Sequence, residues 1–74
     1  MTTELREAID RSISHNEIVH LDWDGGDELN LVAALAPYHD GEIESVLIDG
    51  RVDVWGFQDG PDGQMDWRLS VCLT

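Results

Sequence analysis

Hydrophobic and polar positions alternate most cleanly late in the chain. Met65, Trp67, Leu69, Val71 and Leu73 interleave with Asp66, Arg68, Ser70, Cys72 and Thr74. A period of two sustained this long marks a strand with one buried face. The same reading upstream gives strands over 43–48 and 51–58, so residues 43–73 form three antiparallel strands joined by two turns. Asp49-Gly50 lies between two apolar runs and predicts a type I′ hairpin, because both of its central residues need positive φ. That hairpin sets Ile48 opposite Arg51, Leu47 opposite Val52 and Ser45 opposite Val54. Ile43, Leu47, Val52 and Val54 then line the core face. Glu44, Val46, Ile48, Arg51, Asp53, Trp55 and Phe57 line the other.

The second connection is harder to place. A five-residue loop over 59–63 mixes the two faces and is penalised at every pair. A four-residue loop over 59–62 keeps them apart, with Val54 opposite Trp67, Val52 opposite Leu69 and Gly56 opposite Met65. It also sets Asp53 opposite Arg68, a charge pair worth ~0.2–1 kcal/mol. The longer loop becomes equivalent if it holds a bulge with Gly60 or Gly63 at positive φ.

Before the sheet the period changes. Leu5, Ala8, Ile9 and Ile13 make one helical stripe. Thr2 or Thr3 is the cap, Glu4 and Glu7 sit in the first turn, and Glu7 and Arg11 are spaced for an i,i+4 pair. Residues 17–23 alternate as a strand, with Val19, Leu21 and Trp23 on one face and Ile18, His20 and Asp22 on the other. The stretch Asp24-Gly25-Gly26-Asp27 is a turn, and Asp27, ahead of Asp24, is the cap for a second helix starting at Glu28. Its stripe is Leu29, Val32, Ala33 and Ala36, widened by Leu31 and Leu35, and Pro37 closes it. The order is α-β-α-β-β-β. Two amphipathic helices laid on one face of a mainly antiparallel four-stranded sheet make a two-layer α+β domain over residues 1–74. The place of the first strand in the sheet is left open.

The chain has 74 residues, sixteen acids, four arginines and no lysine, for a net charge of −12. Such a chain repels nucleic acid and anionic membranes and attracts basic partners. The same composition suits solubility in a high-salt cytoplasm. One cysteine excludes an internal disulfide framework, and neither a signal peptide nor an apolar span stands out, so a cytoplasmic setting is expected. No metal, cofactor or catalytic motif emerges. The Asp22–Glu28 cluster fails the calcium-loop pattern at three positions, with Gly26, Asp27 and Ala33 where ligands or glycine belong. His15, His20, His39 and Cys72 lack zinc spacing and read as surface histidines and a half-buried strand cysteine.

The outer sheet face carries the candidate site. Val46, Ile48, Trp55 and Phe57 form an apolar patch bordered by Glu44, Asp53, Asp66, Arg51 and Arg68, the composition of a protein-binding surface. Acids two apart on a strand stand ~6.6 Å apart, near the spacing of successive phosphates. Two acidic rows follow: Asp22, Asp24, Asp27 and Glu28 at the helix start, and Asp49, Asp53, Asp59, Asp62 and Asp66 near the hairpin ends.

In size, acidity and small α+β layout the chain resembles phage- and plasmid-encoded inhibitors that mimic nucleic acid, anti-CRISPR proteins among them. The resemblance covers the whole chain by character and carries no residue across. It implies a non-enzymatic protein that blocks the nucleic-acid groove of a basic protein or complex in the host cytoplasm. The alternative is a halophile-type or housekeeping domain, a homodimer through the Trp55 face, whose charge serves solubility.

Overall fold

Leu5, Ala8 and Ile9 are buried along one side of the first helix, α1 (Thr2–His15), and Ile13 is partly buried below them. The structure, a computed structural model, describes residues 2–74, with only the backbone of residues 2 and 3. The cap expected at Thr2 or Thr3 therefore rests on side chains outside the described residues. Arg11 pairs with Glu17 beyond the helix end at 3.7 Å, rather than with Glu7 one turn back.

Strand β1 (Ile18–Trp23) follows, then α2 (Glu28–Leu35), a 3-10 turn (Ala36–Tyr38), β2 (Glu44–Ile48), β3 (Arg51–Gly60) and β4 (Gly63–Leu73). The protein is an α+β domain with two helices over a four-stranded mixed, mostly antiparallel sheet. The strand order is β1-β4-β3-β2. β1 joins by pairing parallel to β4, Val19 beside Leu69 and Leu21 beside Val71. The strand that comes last in the chain thus lies inside the sheet. Both helices cover one face: Leu5 and Ile9 from α1 and Leu31 and Leu35 from α2 share a core with Val19, Trp23, Val52, Val54, Trp67, Leu69 and Val71. No described helix is long and apolar enough to cross a membrane.

Asp27 caps α2 by accepting a hydrogen bond from the Asn30 amide at 3.0 Å. The helix turns a different side inward from the one expected. Leu31 and Leu35 are buried, whereas Leu29 is 77% exposed and Ala33 and Ala36 face solvent. Leucine, valine and alanine run right round this short helix, so the sequence offers two overlapping i, i+3, i+4 stripes. The Leu31/Leu35 stripe wins because it continues through half-buried Tyr38, whose carbonyl accepts a hydrogen bond from Trp67 Nε1 at 2.9 Å.

The first hairpin is as the sequence predicts, with Asp49 at φ 51° and Gly50 at φ 78° and the expected register throughout. The second departs from expectation. Gly60 pairs with Gly63, so Pro61 and Asp62 alone make the turn, with Pro at the position where its fixed φ fits and Gly63 at φ 120°. Relative to a four-residue loop the register slides by two, which preserves both faces. Val54 stands opposite Leu69, Val52 opposite Val71 and Gly56 opposite Trp67; Asp53 faces Ser70 and Arg68 faces Trp55. Packing explains the choice. A Cβ on Gly56 would lie 2.4 Å from the Trp67 ring, so the fully buried indole occupies space that only glycine leaves open. That fit outweighs the small gain of an Asp53–Arg68 pair.

The edge strand β2 is less buried than its alternation suggests. Leu47 sits on the core face yet is 50% exposed, because the helical layer does not cover it. Ile43, just before the strand, is partly buried, and Met65 at the far end of β4 is 37% exposed.

Candidate functional site

Because both helices lie on one side, the other side of the sheet is bare. The registers arrange its residues in rows across β1, β4, β3 and β2. Ile18, Arg68, Trp55 and Glu44 form one row, His20, Ser70, Asp53 and Val46 the next, and Asp22, Cys72, Arg51 and Ile48 the third. Phe57 and Asp66 pair beyond Trp55 and Arg68. The outer-face residues singled out from the sequence, namely Glu44, Val46, Ile48, Asp53, Trp55, Phe57 and Asp66, therefore do share a surface. Trp55, Val46 and Ile48 are 40–48% exposed, and Phe57 is half-buried against Gly41.

Three depressions indent this face; one lies over Cys72 and Asp22, and the other two both include Trp55 and Arg68. The larger, about 440 Å³, runs between Glu42, Glu44, Phe57 and Asp66. The smaller, about 210 Å³, lies over Ser70 and is bordered by Ile18, His20, Arg51 and Asp53. The sequence had placed Arg51 and Arg68 on a rim. Once β1 docks beside β4, Arg68 becomes central, flanked by Ile18 on one side and Trp55 on the other. Arg51 Nε approaches Asp53 Oδ1 at 3.5 Å. Arg68 is half-buried, donates to the Asn16 carbonyl at 3.4 Å, and has no carboxylate within 4.0 Å among the described residues. The contributions of Ile18, His20 and Ser70 were hidden from sequence reasoning. Their alternation shows which face they occupy, but nothing local shows which strand lies alongside.

The acids form a shell. Of the sixteen, only Glu28 and Asp53 are partly buried, and Glu28 accepts a hydrogen bond from Ser45 at 2.8 Å. The second predicted row is divided. Asp49 sits at the end of the sheet where the Leu73 amide bonds the Gly50 carbonyl, the end at which β1 leads into Asp24 and the Asp27 cap of α2. Asp59, Asp62 and Asp66 lie at the opposite end, where Asp40 accepts from the Asp59 amide at 2.9 Å. Asp22 is on the outer face at the Asp49 end. The ends are separated by the length of β3, about 30 Å at ~3.3 Å per residue.

Among the described residues no three His, Cys, Asp or Glu side chains converge as metal ligands. Cys72 is a free thiol and exposed rather than half-buried, because its strand position points to the uncovered face. Compared with family models, characterised proteins and solved structures, the chain matches none.

Proposed function

We propose that this chain is a non-enzymatic acidic binding module that inhibits a basic nucleic-acid-binding protein or complex, in the manner of anti-CRISPR-like DNA mimics acting in a host cytoplasm. Its linear charge density carries the reading. Twelve net negative charges along a 36 Å long axis amount to one per 3 Å, close to the ~3.4 Å per charge of one DNA strand. Acids at both ends of the sheet extend that charge over the whole length. The bare outer face adds Trp55 beside the larger groove, an aromatic anchor of the kind that supplies short-range affinity after electrostatic encounter.

The test is displacement. Labelled duplex is bound to each of three basic partners: a CRISPR effector complex, a restriction enzyme and a nucleoid-associated protein. The chain is then added at rising concentration. Release of duplex from at least one partner at low salt, weakening as salt screens the charges, is the expected result. No release from any of them, or release indifferent to salt, refutes the reading.

The alternative of a homodimer is favoured by β2, whose Val46, Leu47 and Ile48 are each about half exposed on an open sheet edge. Apolar edges of this kind pair with other strands. A dimer that tightens as salt screens the mutual repulsion of two acidic copies, seen by sedimentation, would mark that state.

A further inference from the structure

Ser70 is the shortest side chain in the middle of the outer face, and its neighbours are long. His20 and Asp53 flank it across the sheet, and Arg68 precedes it by two on β4. A short side chain framed by long ones leaves a dimple, the pocket of about 210 Å³ described above. Ser70 at its floor is 5% exposed, and its hydroxyl is buried with no hydrogen-bond partner among the described residues. A buried hydroxyl without a partner costs free energy unless something that enters the pocket bonds to it.

The wall supplies charge where the rest of the protein has the opposite sign. Two of the four arginines and a histidine line this one pocket. Arg51 is already engaged by Asp53. Arg68 is free of any carboxylate among the described residues, in a chain that has sixteen of them. Its planar fork of donors matches a carboxylate in bidentate fashion. Ile18 and Trp55 are the cross-strand partners of Arg68 on either side, and both line the same pocket as apolar walls.

We infer that this pocket binds a small monoanionic carboxylate carrying a flat apolar group. The carboxylate sits between the Arg68 guanidinium and the Ser70 hydroxyl, which donates to it, and the flat group lies between Trp55 and Ile18. Two observations select this chemistry over a phosphate. Asp53 shares the lining, and the net charge is −12, so each additional negative charge on a ligand meets added repulsion. The volume also lies below the ~300–1,000 Å³ typical of drug-sized sites and so suits a molecule of benzoate size. The inference does not depend on the inhibitor reading.

The experiment titrates the full chain with benzoate, and separately with inorganic phosphate, following backbone amides by NMR. Benzoate is expected to give saturable shifts at Trp55, Arg68 and Ser70 in the millimolar range and to bind more tightly than phosphate. Arg68→Gln and Ser70→Ala should each weaken it about tenfold, the loss of one charge-assisted or neutral hydrogen bond. Ser70→Ala should also melt no lower than the parent, since it removes an unpartnered hydroxyl, and this separates lost binding from lost folding. The site is overturned if benzoate gives no saturable shift, or if both variants bind it as the parent does. Phosphate binding more tightly than benzoate overturns the carboxylate assignment.

Discussion

Gly56→Ala offers a test whose sign depends on the sheet register. Gly56 lies within β3 and is not among the residues at positive φ. On backbone grounds alone, alanine there should stabilise the protein by about 0.4–1 kcal/mol through the unfolded chain. The structure reverses that expectation. The new Cβ would stand 2.4 Å from one ring carbon of Trp67 and 2.8 Å from two more. The indole has little freedom to retreat, being fully buried and tied to the Tyr38 carbonyl at 2.9 Å. Overpacking of this kind costs about 1–3 kcal/mol, and loss of the indole hydrogen bond adds about 1 kcal/mol. Taking 1–3 kcal/mol as the net cost and a slope near 1 kcal/mol per molar urea for so small a domain, the unfolding midpoint should fall by about 1–3 M. Urea melts followed by far-ultraviolet circular dichroism would measure it. Replacing Trp67 by Leu in the Gly56→Ala background should make the two substitutions clearly non-additive, because the clash needs both partners. A Gly56→Ala variant as stable as the parent, or more so, would mean that Trp67 does not lie over Gly56 and that the register is wrong.

Other consequences are as direct. Ser12 is 2% exposed, donates to the Glu17 carbonyl at 2.6 Å and accepts from the Arg68 amide at 2.9 Å. Ser12→Ala orphans both and should cost about 1–3 kcal/mol in a chemical melt, whereas Ser12→Thr should recover part of the loss. Asp27→Ala removes the α2 cap and should cost about 1 kcal/mol, with Asp27→Asn nearly neutral in the same melts. Trp67→Ala should cost about 3–5 kcal/mol, a large share of the ~5–15 kcal/mol that holds a typical domain together. Trp55→Ala should shift stability by less than about 1 kcal/mol and, in the duplex-displacement assay, weaken inhibition. Unchanged inhibition by a folded Trp55→Ala variant would remove Trp55 from the binding surface.

The fold class was legible because its local signals agree. Asp49-Gly50 admits few alternatives to a two-residue turn, and the alternation of β3 and β4 fixes which residues are dry. The register at Pro61 was not, because sliding by two leaves every face unchanged and so leaves hydrophobic pattern silent. A weak charge rule favoured Asp53 opposite Arg68, while a stronger steric fit between Trp67 and Gly56 decided otherwise. The rotation of α2 was ambiguous for the same kind of reason, since apolar residues surround it. The site was half legible. Glu44, Val46, Ile48, Trp55 and Phe57 follow from parity within one hairpin. Ile18, His20 and the central place of Arg68 depend on a pairing between residues some fifty positions apart, Ile18 with Arg68, which no short window records.

That distant pairing also governs how the protein can come into being. β4 touches α1, β1 and β3, and it supplies Trp67, Leu69 and Val71 to the core. As the chain is synthesised, α1 and β1 emerge first and wait, with Leu5, Ile9, Val19 and Trp23 lacking the surface they will cover. The β2–β3 hairpin can form early, since its contacts are local, but it gives α1 nothing to rest on. The middle of the sheet arrives last, and the domain closes in a single late event around it. A chain tethered to a stalled ribosome through a C-terminal linker too short to bring Trp67 out of the exit tunnel should therefore be digested by protease throughout, and a linker longer by the few residues that free β4 should make it resistant.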